Sequence, residues 1–382
     1  MIYLDNSATT KPHESVLQTF LQVNEHYYAN PASIHKAGVE ANDLLTRARE
    51  QVASILNTEE KQVIFTSGGT ESNNFALYGV AKSSTHKGKH IIISEIEHPS
   101  VLEAAKRLIK EGFDVEYLRV NEQGKFSIEQ LKRIIRKDTI LVSVMHVNNE
   151  MGAISPIREM AQIIHDNSRA VFHVDAVQSF GKMPVTFDGE NGPDILTVSG
   201  HKIHGLKGSG IIAFRKQFNV HPFLVGGGQE YGLRSGTVAV PLAVSFAKAA
   251  RLAVEKIQVM QVQYKKWNRE LRGYLAQFGE EIFILSPEDA ADHILSFSVR
   301  GLKGEILINA LQKENVIVST SSACSSKQTK DSHVVEAMKV APQYKKGVIR
   351  ISFGAMTTDQ DIETFKARFQ QVMNELKGEV TQ

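Results

Sequence analysis

The chain has 382 residues, 42% hydrophobic and 23% charged, which is enough apolar material for a sizeable core and a length pointing to two domains or one large and one small. Whole-chain disorder is excluded, and 44 Lys and Arg against 42 Asp and Glu, a formal net charge of +2, leave no cationic surplus to mark nucleic acid as a partner. No run approaches the roughly 20 apolar residues that span a bilayer, Met1-Ile2-Tyr3-Leu4-Asp5-Asn6 lacks the basic start of a secretory signal, and the single cysteine, Cys324, forms no intrachain disulfide, so a reducing compartment, most simply the cytoplasm, is expected.

Between residues 60 and 215, short β-branched runs alternate with helical stretches. Strands are expected at 63–66, 90–94 (with three consecutive isoleucines), 139–147 (TILVSVMHV), 170–174 (AVFHV) and 194–199 (DILTVS). These runs are apolar without clean alternation, which suits strands buried on both faces. Helices are expected at 71–81, 100–111, 128–136 and 157–167, so the alternation predicts a mainly parallel sheet covered by helices. Pro241 opens a long helical stretch to about residue 277, either a bridge between domains or a helix broken within. Beyond it, strands at 293–300, 316–322 and 348–353 and helices at 304–313, 332–340 and 359–376 predict a smaller α+β unit.

Three segments carry chemistry. Leu196-Thr197-Val198-Ser199-Gly200-His201-Lys202 puts Lys202 just past an apolar strand, where open α/β sheets hold ligands. A lysine there is either a solvated surface cation or a Schiff-base former toward a carbonyl substrate or pyridoxal phosphate. His173-Val174-Asp175-Ala176-Val177-Gln178 ends the preceding strand. Asp175 in an apolar run needs a partner. It either caps the next helix or pairs with a pyridinium nitrogen, with Gln178 three residues on to donate to a phenolic oxygen. Thr66-Ser67-Gly68-Gly69-Thr70-Glu71-Ser72-Asn73-Asn74 is strand, glycine pair, helix. That is the layout of a phosphate site, in which Gly69 allows close approach and Thr70 adds a hydroxyl; the alternative is a capping box of Thr70 with Asn73. Walker A, GxSxG, HExxH and paired CxxC motifs are absent, so nucleotide-triphosphatase, hydrolase-elbow and metal chemistry lack support. His201 and His204, three apart without acidic company, read as site or loop residues. Cys324, in Ser321-Ser322-Ala323-Cys324-Ser325-Ser326-Lys327, sits among polar neighbours as an accessible thiol, with Lys327 and Lys330 near enough in sequence to favour the thiolate.

Together these motifs resemble the cysteine desulfurase family, pyridoxal-phosphate enzymes of the class V aminotransferase type. The resemblance spans Tyr3-Leu4-Asp5-Asn6-Ser7-Ala8-Thr9-Thr10, Asn30-Pro31-Ala32-Ser33, SGGTESNN at 67–74, Glu97-His98-Pro99-Ser100, Asn148-Asn149-Glu150-Met151-Gly152, HVDAVQ at 173–178, SGHK at 199–202, GGGQEYGLRSGT at 226–237, SSACSS at 321–326 and Arg350-Ile351-Ser352-Phe353. It implies an aspartate-aminotransferase-like α/β fold, with a large cofactor domain at 13–255 and a small domain of 1–12 plus 256–382. Lys202 would hold pyridoxal 5'-phosphate covalently. Asp175 would meet the ring nitrogen, Gln178 the phenolic oxygen and His98 the ring face; alternatively, His98 merely leads the helix at Pro99. Gly69, Thr70, Ser199 and His201 would bind the phosphate, with Thr237 reaching over from a second subunit of a homodimer. Asn149, Arg350 and Asn30 would hold the carboxylate of L-cysteine. Cys324 would take the sulfur as a persulfide on a mobile loop of about 322–331 and pass it to a separate acceptor.

The resemblance leaves the acceptor open between an iron–sulfur scaffold protein and a thiolation enzyme for tRNA or thiamine. Two departures from the commonest pattern stand out: the second glycine of SGGTES, and the basic stretch Lys327-Gln328-Thr329-Lys330 after the cysteine. An aminotransferase or selenocysteine lyase on the same fold is the alternative chemistry, and Cys324 argues against transamination, which needs no thiol. A sulfur carrier without its own catalysis is the alternative class, and it would not need Lys202, Asp175 and Arg350.

Overall fold

The apolar runs of the first half meet in one sheet. A computed structural model describes residues 1–185, 187, 191–215, 220–320 and 332–380, with side chains through 376. Its elements in chain order are β1 (Ile2–Tyr3), α1 (Glu14–His26), α2 (Lys36–Leu56), β2 (Val63–Thr66), α3 (Gly69–Ser83), β3 (His90–Ser94), α4 (Pro99–Lys110), β4 (Asp114–Leu118), α5 (Ile128–Ile134), β5 (Thr139–Met145), α6 (Ile157–Asn167), β6 (Val171–Asp175), β7 (Ile195–Ser199), β8 (Gly210–Phe214), α7 (Val240–Glu255), α8 (Ile257–Ala276), β9 (Ile282–Ile284), β10 (Ile294–Val299), α9 (Gly304–Lys313), β11 (Val316–Ile317), α10 (His333–Ala337), β12 (Val348–Ser352) and α11 (Asp359–Val380).

Seven strands form the large sheet in the order β2-β8-β7-β6-β5-β3-β4. Strands β3 to β7 pair in parallel, whereas β8 runs antiparallel to both β7 and β2. The continuous apolar runs are explained by burial on both faces. Ile92, Phe65, Val63 and Ile211 enter one core with Phe172 and Phe246, while Ile91, Ile93, Ile64 and Ile212 enter another with Phe75 and Leu77. Successive strand residues point to opposite faces, so both must be apolar when helices cover both. The carboxyl ends of β2, β3, β5, β6 and β7 therefore lie along one edge, and the motif residues come directly after them.

A second, antiparallel sheet, β12-β10-β9, lies in the last third of the chain. The amino terminus joins it: β1 pairs in parallel with β11, and Asp5 bridges to Ser352. Its core gathers Ile2 and Leu4 with Trp267, Phe297, Phe365 and Phe369. The helical stretch expected from 241 to 277 is two helices, divided at Lys256. Helix α7 packs on α1 and α2, while α8 packs on β9 and α11, so the break lies where the chain changes partners. The strand expected over 316–322 pairs as a strand at Val316–Ile317; its end lies outside the described residues. Among the described residues no helix is long and apolar enough to cross a membrane.

Candidate active site

The glycine pair opens the site. Gly68 has φ +145°, a backbone conformation that glycine adopts without strain, and it starts α3 with no side-chain cap. A β-carbon on Gly69 would lie 2.9 Å from Val177 Cγ2 and 3.6 Å from Ser199 Cβ. The helix start therefore presses against the loop after β6 and the end of β7. Ser199 is buried beside it, and Thr70 is exposed. Uncapped first-turn N–H groups suit an anion. The capping-box alternative fails, because Asn73 points elsewhere.

Asn73 Nδ2 donates to Asp175 Oδ2 at 2.7 Å and to Ser100 Oγ at 2.9 Å. Its Oδ1 accepts from Thr197 Oγ1 at 2.6 Å. Asp175 Oδ1 also accepts from the Val177 N–H at 2.9 Å, so this carboxylate does tie the turn after β6, in addition to its pairing with Asn73. Ser100 Oγ lies 2.8 Å from His98 Nδ1, which also accepts the Ser100 backbone N–H at 3.1 Å. His98 is thus the N-cap of α4, and the accepting Nδ1 leaves the proton of the neutral ring on Nε2. The Asn73 amide thus holds Asp175 directly and His98 through the Ser100 hydroxyl. Burial lowers the His98 pKa; Asp175 opposes this and the Lys202 charge adds to it. Behind Thr197 stands His173, 3.4 Å from its hydroxyl and 2.8 Å from Ser143 Oγ, pushed down to about 3 by burial. Burial pushes the Glu97 carboxyl up to about 8, which favours its neutral form beside Asp175.

Lys202 follows β7 in a single 3-10 turn. Its Nζ donates to the carbonyl of Ser7 and, at 2.7 Å, to that of Ala8. Gln178 Nε2 donates to the same Ser7 carbonyl at 2.9 Å. The amino-terminal segment thus brings Lys202 and Gln178 together. His201 Nδ1 lies 3.2 Å from Thr9 Oγ1; burial, aided by the Lys202 charge, pushes it down to about 4.

Arg350, on β12 and 3% exposed, donates from Nη1 to the Asn149 carbonyl at 2.8 Å and from Nη2 to Asp5 Oδ1 at 2.8 Å. Its Nε and the Ser7 hydroxyl are buried with no hydrogen-bond partner among the described residues. Burial raises the Asp5 pKa against the opposing pull of Arg350. Arg350 and Asn149, expected to act on one carboxylate, do meet. Asn30 is exposed, and its Oδ1 accepts from the Ala32 N–H in its own turn. Thr237 is also exposed, and no bond joins it to these groups among the described residues. The segment before Thr237 is anchored to the large sheet: buried Glu230 receives the Arg49 fork at 2.6 and 2.7 Å and the Phe65 N–H at 2.8 Å. Arg234 pairs with Glu71 in the first turn of α3. Cys324 and the loop expected over 322–331 lie outside the described residues.

Asn73, Ser100, Thr197, Asp5 and Ser7 belong to this hydrogen-bond network, although sequence reasoning assigned them no site role and Asn73 only that of a possible capping partner. Polar residues in otherwise apolar strands, such as Thr197, were the available signal. Asn73→Ala would leave Asp175 Oδ2 without its charge-assisted partner, a cost of about 1.5–3 kcal/mol. Denaturant unfolding is expected to register that loss, and an unchanged midpoint would contradict the linkage.

The Aminotransferase class-V family model matches residues 2–365. Among curated relatives, a NifS/IcsS protein homolog of Lactobacillus delbrueckii subsp. bulgaricus is 40% identical over 373 residues, covering 97% of each chain. A cysteine desulfurase IscS of Dictyoglomus turgidum is 39% identical over 366 residues, covering 94% of this chain and 91% of that one. A solved NifS-like protein superposes with a TM-score of 0.92 at 36% identity, covering 98% of this chain and 99% of that one. With the glycine cradle, Asp175 and Lys202 at the strand ends of a mainly parallel sheet, these matches establish that the chain belongs to the aminotransferase class-V family, on its cysteine desulfurase branch.

Proposed function

We propose that the protein removes sulfur from L-cysteine, leaving L-alanine, captures it as a persulfide on Cys324 and passes it to an acceptor protein. The family is pyridoxal-phosphate-dependent, and the residues fit that group. The uncapped start of α3 with the Gly69 cradle suits the phosphate, buried Asp175 the ring nitrogen, and Lys202 the covalent link. The observation that carries the reading is a convergence at the flanks of the cysteine segment. Ser319 pairs through its backbone with Arg350 at 2.7 and 3.2 Å, and Ser332 Oγ donates to Glu150, next to Asn149. Cys324 is five residues beyond Ser319 in the sequence, and the short chain length between them, at most about 18 Å when extended, supports the reading that its thiol serves this site.

Pyridoxal phosphate, when bound, supplies the electron sink for negative charge at the substrate Cα. Arg350 orients the L-cysteine carboxylate, and Asn149 assists. Lys202 Nζ would hold the cofactor and is the base available to move the Cα proton. Asp175, held by Asn73, would face the ring nitrogen, and neutral His98 offers its ring and its Nε2–H. The Cys324 thiolate attacks the substrate sulfur. The S–S bond forms as the C–S bond breaks, the electron pair goes to substrate carbon, and protonation there yields alanine. The net change is thiol plus cysteine to persulfide plus alanine.

The reading extends to a homodimer, a large domain at 13–255, a small domain of 1–12 plus 256–382, and a cytoplasmic location. For the dimer, Ile34 is 98% exposed and Val225 79%, apolar surface that a second copy would cover, and Thr237 is exposed beside the anchored 224–236 segment. Sedimentation is expected to give a two-chain species; a fully active monomer would refute it. The function is tested with purified protein, L-cysteine and a thiol reductant, where equimolar alanine and sulfide are expected. Pyruvate or an amino-acid exchange product without sulfide would overturn the reading.

A further inference from the structure

Lys182 is a buried cation that the desulfuration chemistry leaves unused. It lies in the turn after β6, with its backbone N–H bonded to the Ser179 carbonyl at 3.1 Å, and is 5% exposed. An ammonium so placed is costly without a partner. The groups around it are basic or neutral. A cavity of about 220 Å³ beside it is lined by Lys202, Lys256, His13, His204 and Tyr264, and Arg350 and His293 lie within its electrostatic reach. Its hydrogen bond runs to an amide: Lys182 Nζ donates to Gln178 Oε1 at 3.3 Å.

An ammonium has donors and no acceptor. Gln178 must therefore turn Oε1 toward Lys182 and Nε2 toward the Ser7 carbonyl, beside Lys202, as observed. The flipped amide would set donor against donor. We propose that Lys182 is a positioning residue that locks and polarises the Gln178 amide, so that its N–H₂ faces the phenolic oxygen of the Lys202-bound cofactor. This rests on the reading of Gln178 as the donor to that oxygen. Burial, with the charges of Lys202 and Arg350, pushes Lys182 down to about 7. An anionic oxygen beyond Gln178 favours its protonated form and so strengthens the same contact.

The test reads the pH midpoint at which the visible absorption of the loaded protein changes, together with thermal unfolding. A donor aimed at the phenolic oxygen favours loss of the proton from the Lys202–cofactor linkage. Lys182→Met is expected to raise the midpoint by about one pH unit, and Lys182→Arg, which keeps a donor-only head and has the cavity to fill, to bring it back toward wild type. Gln178→Ala should raise the midpoint as well, and Lys182→Met in that background should add a much smaller shift. If Lys182→Met does not fold, Lys182→Gln carries the test, since a neutral amide no longer dictates the orientation of Gln178; a raised midpoint is again expected. An unmoved midpoint in the Lys182 variants, alongside a shift in Gln178→Ala, overturns the inference. Equal shifts in both backgrounds overturn the route through Gln178. An unmoved midpoint in Gln178→Ala itself removes the reading of Gln178, and this inference falls with it.

Discussion

Lys202→Ala is expected to abolish the borohydride-reducible link to pyridoxal phosphate and to cut alanine production by at least about 100-fold, the usual contribution of a positioned proton-transfer group. The variant loses two roles at once. Lys182, the other lysine of this region, is 5% exposed and has its Nζ bonded to Gln178 Oε1, so it is not expected to take over the link. The fold should persist, because Lys202 is only half-buried and the amino-terminal segment whose Ser7 and Ala8 carbonyls it meets is also held by the pairing of β1 with β11. The Gly68–Gly69 cradle should still retain some cofactor non-covalently. Peptide mapping after borohydride reduction of the wild-type protein checks the assignment. Cofactor fixed on a different lysine would refute it.

Cys324→Ser is expected to separate binding from sulfur release. The variant should hold pyridoxal phosphate as tightly as wild type and show the same absorbance change on adding L-cysteine, because Lys202, Asp175 and Arg350 are untouched. Sulfide release should fall by on the order of 10³-fold or more, as when a nucleophile is removed. A hydroxyl at this position has neither the acidity nor the affinity for sulfur that a thiolate brings. Single-turnover measurement of alanine with the absorbance trace distinguishes the two steps. Desulfuration at the wild-type rate would remove Cys324 from the reaction and leave the family cofactor site intact.

Much of the fold and part of the site were legible in the chain itself. An apolar run ending in a polar residue marks a strand delivering chemistry to the sheet edge, and so Asp175 and Lys202 stood out as candidates, as did Gly68 and Gly69 from their place between strand and helix, whereas Ser199 entered only through the family resemblance. These signals are local, spanning about ten residues each. They rest on burial on both faces and on the needs of a helix start, which neighbouring residues dictate. Strand β8 escaped because its direction depends on pairing with β2 and β7, and the division of the 241–277 stretch at Lys256 because a helix breaks where its packing partners change.

What tertiary structure alone decided are the contacts between distant positions. Asn73 lies 27 residues from Ser100 and 102 from Asp175, yet its one amide bonds Asp175 directly and reaches His98 through Ser100; in sequence a cap was the alternative reading for it. Asp5 and Ser7 reach Arg350 and Lys202 across 345 and 195 residues because β1 pairs with β11 and carries the amino terminus over the site. The amide of Gln178 can turn either way by covalent geometry, and the acceptor its Nε2 meets is the Ser7 carbonyl, 171 residues away. A hydrogen-bond donor has no sequence signature of its acceptor, so the partners of buried polar groups become known when the chain has folded and water is no longer there to satisfy them.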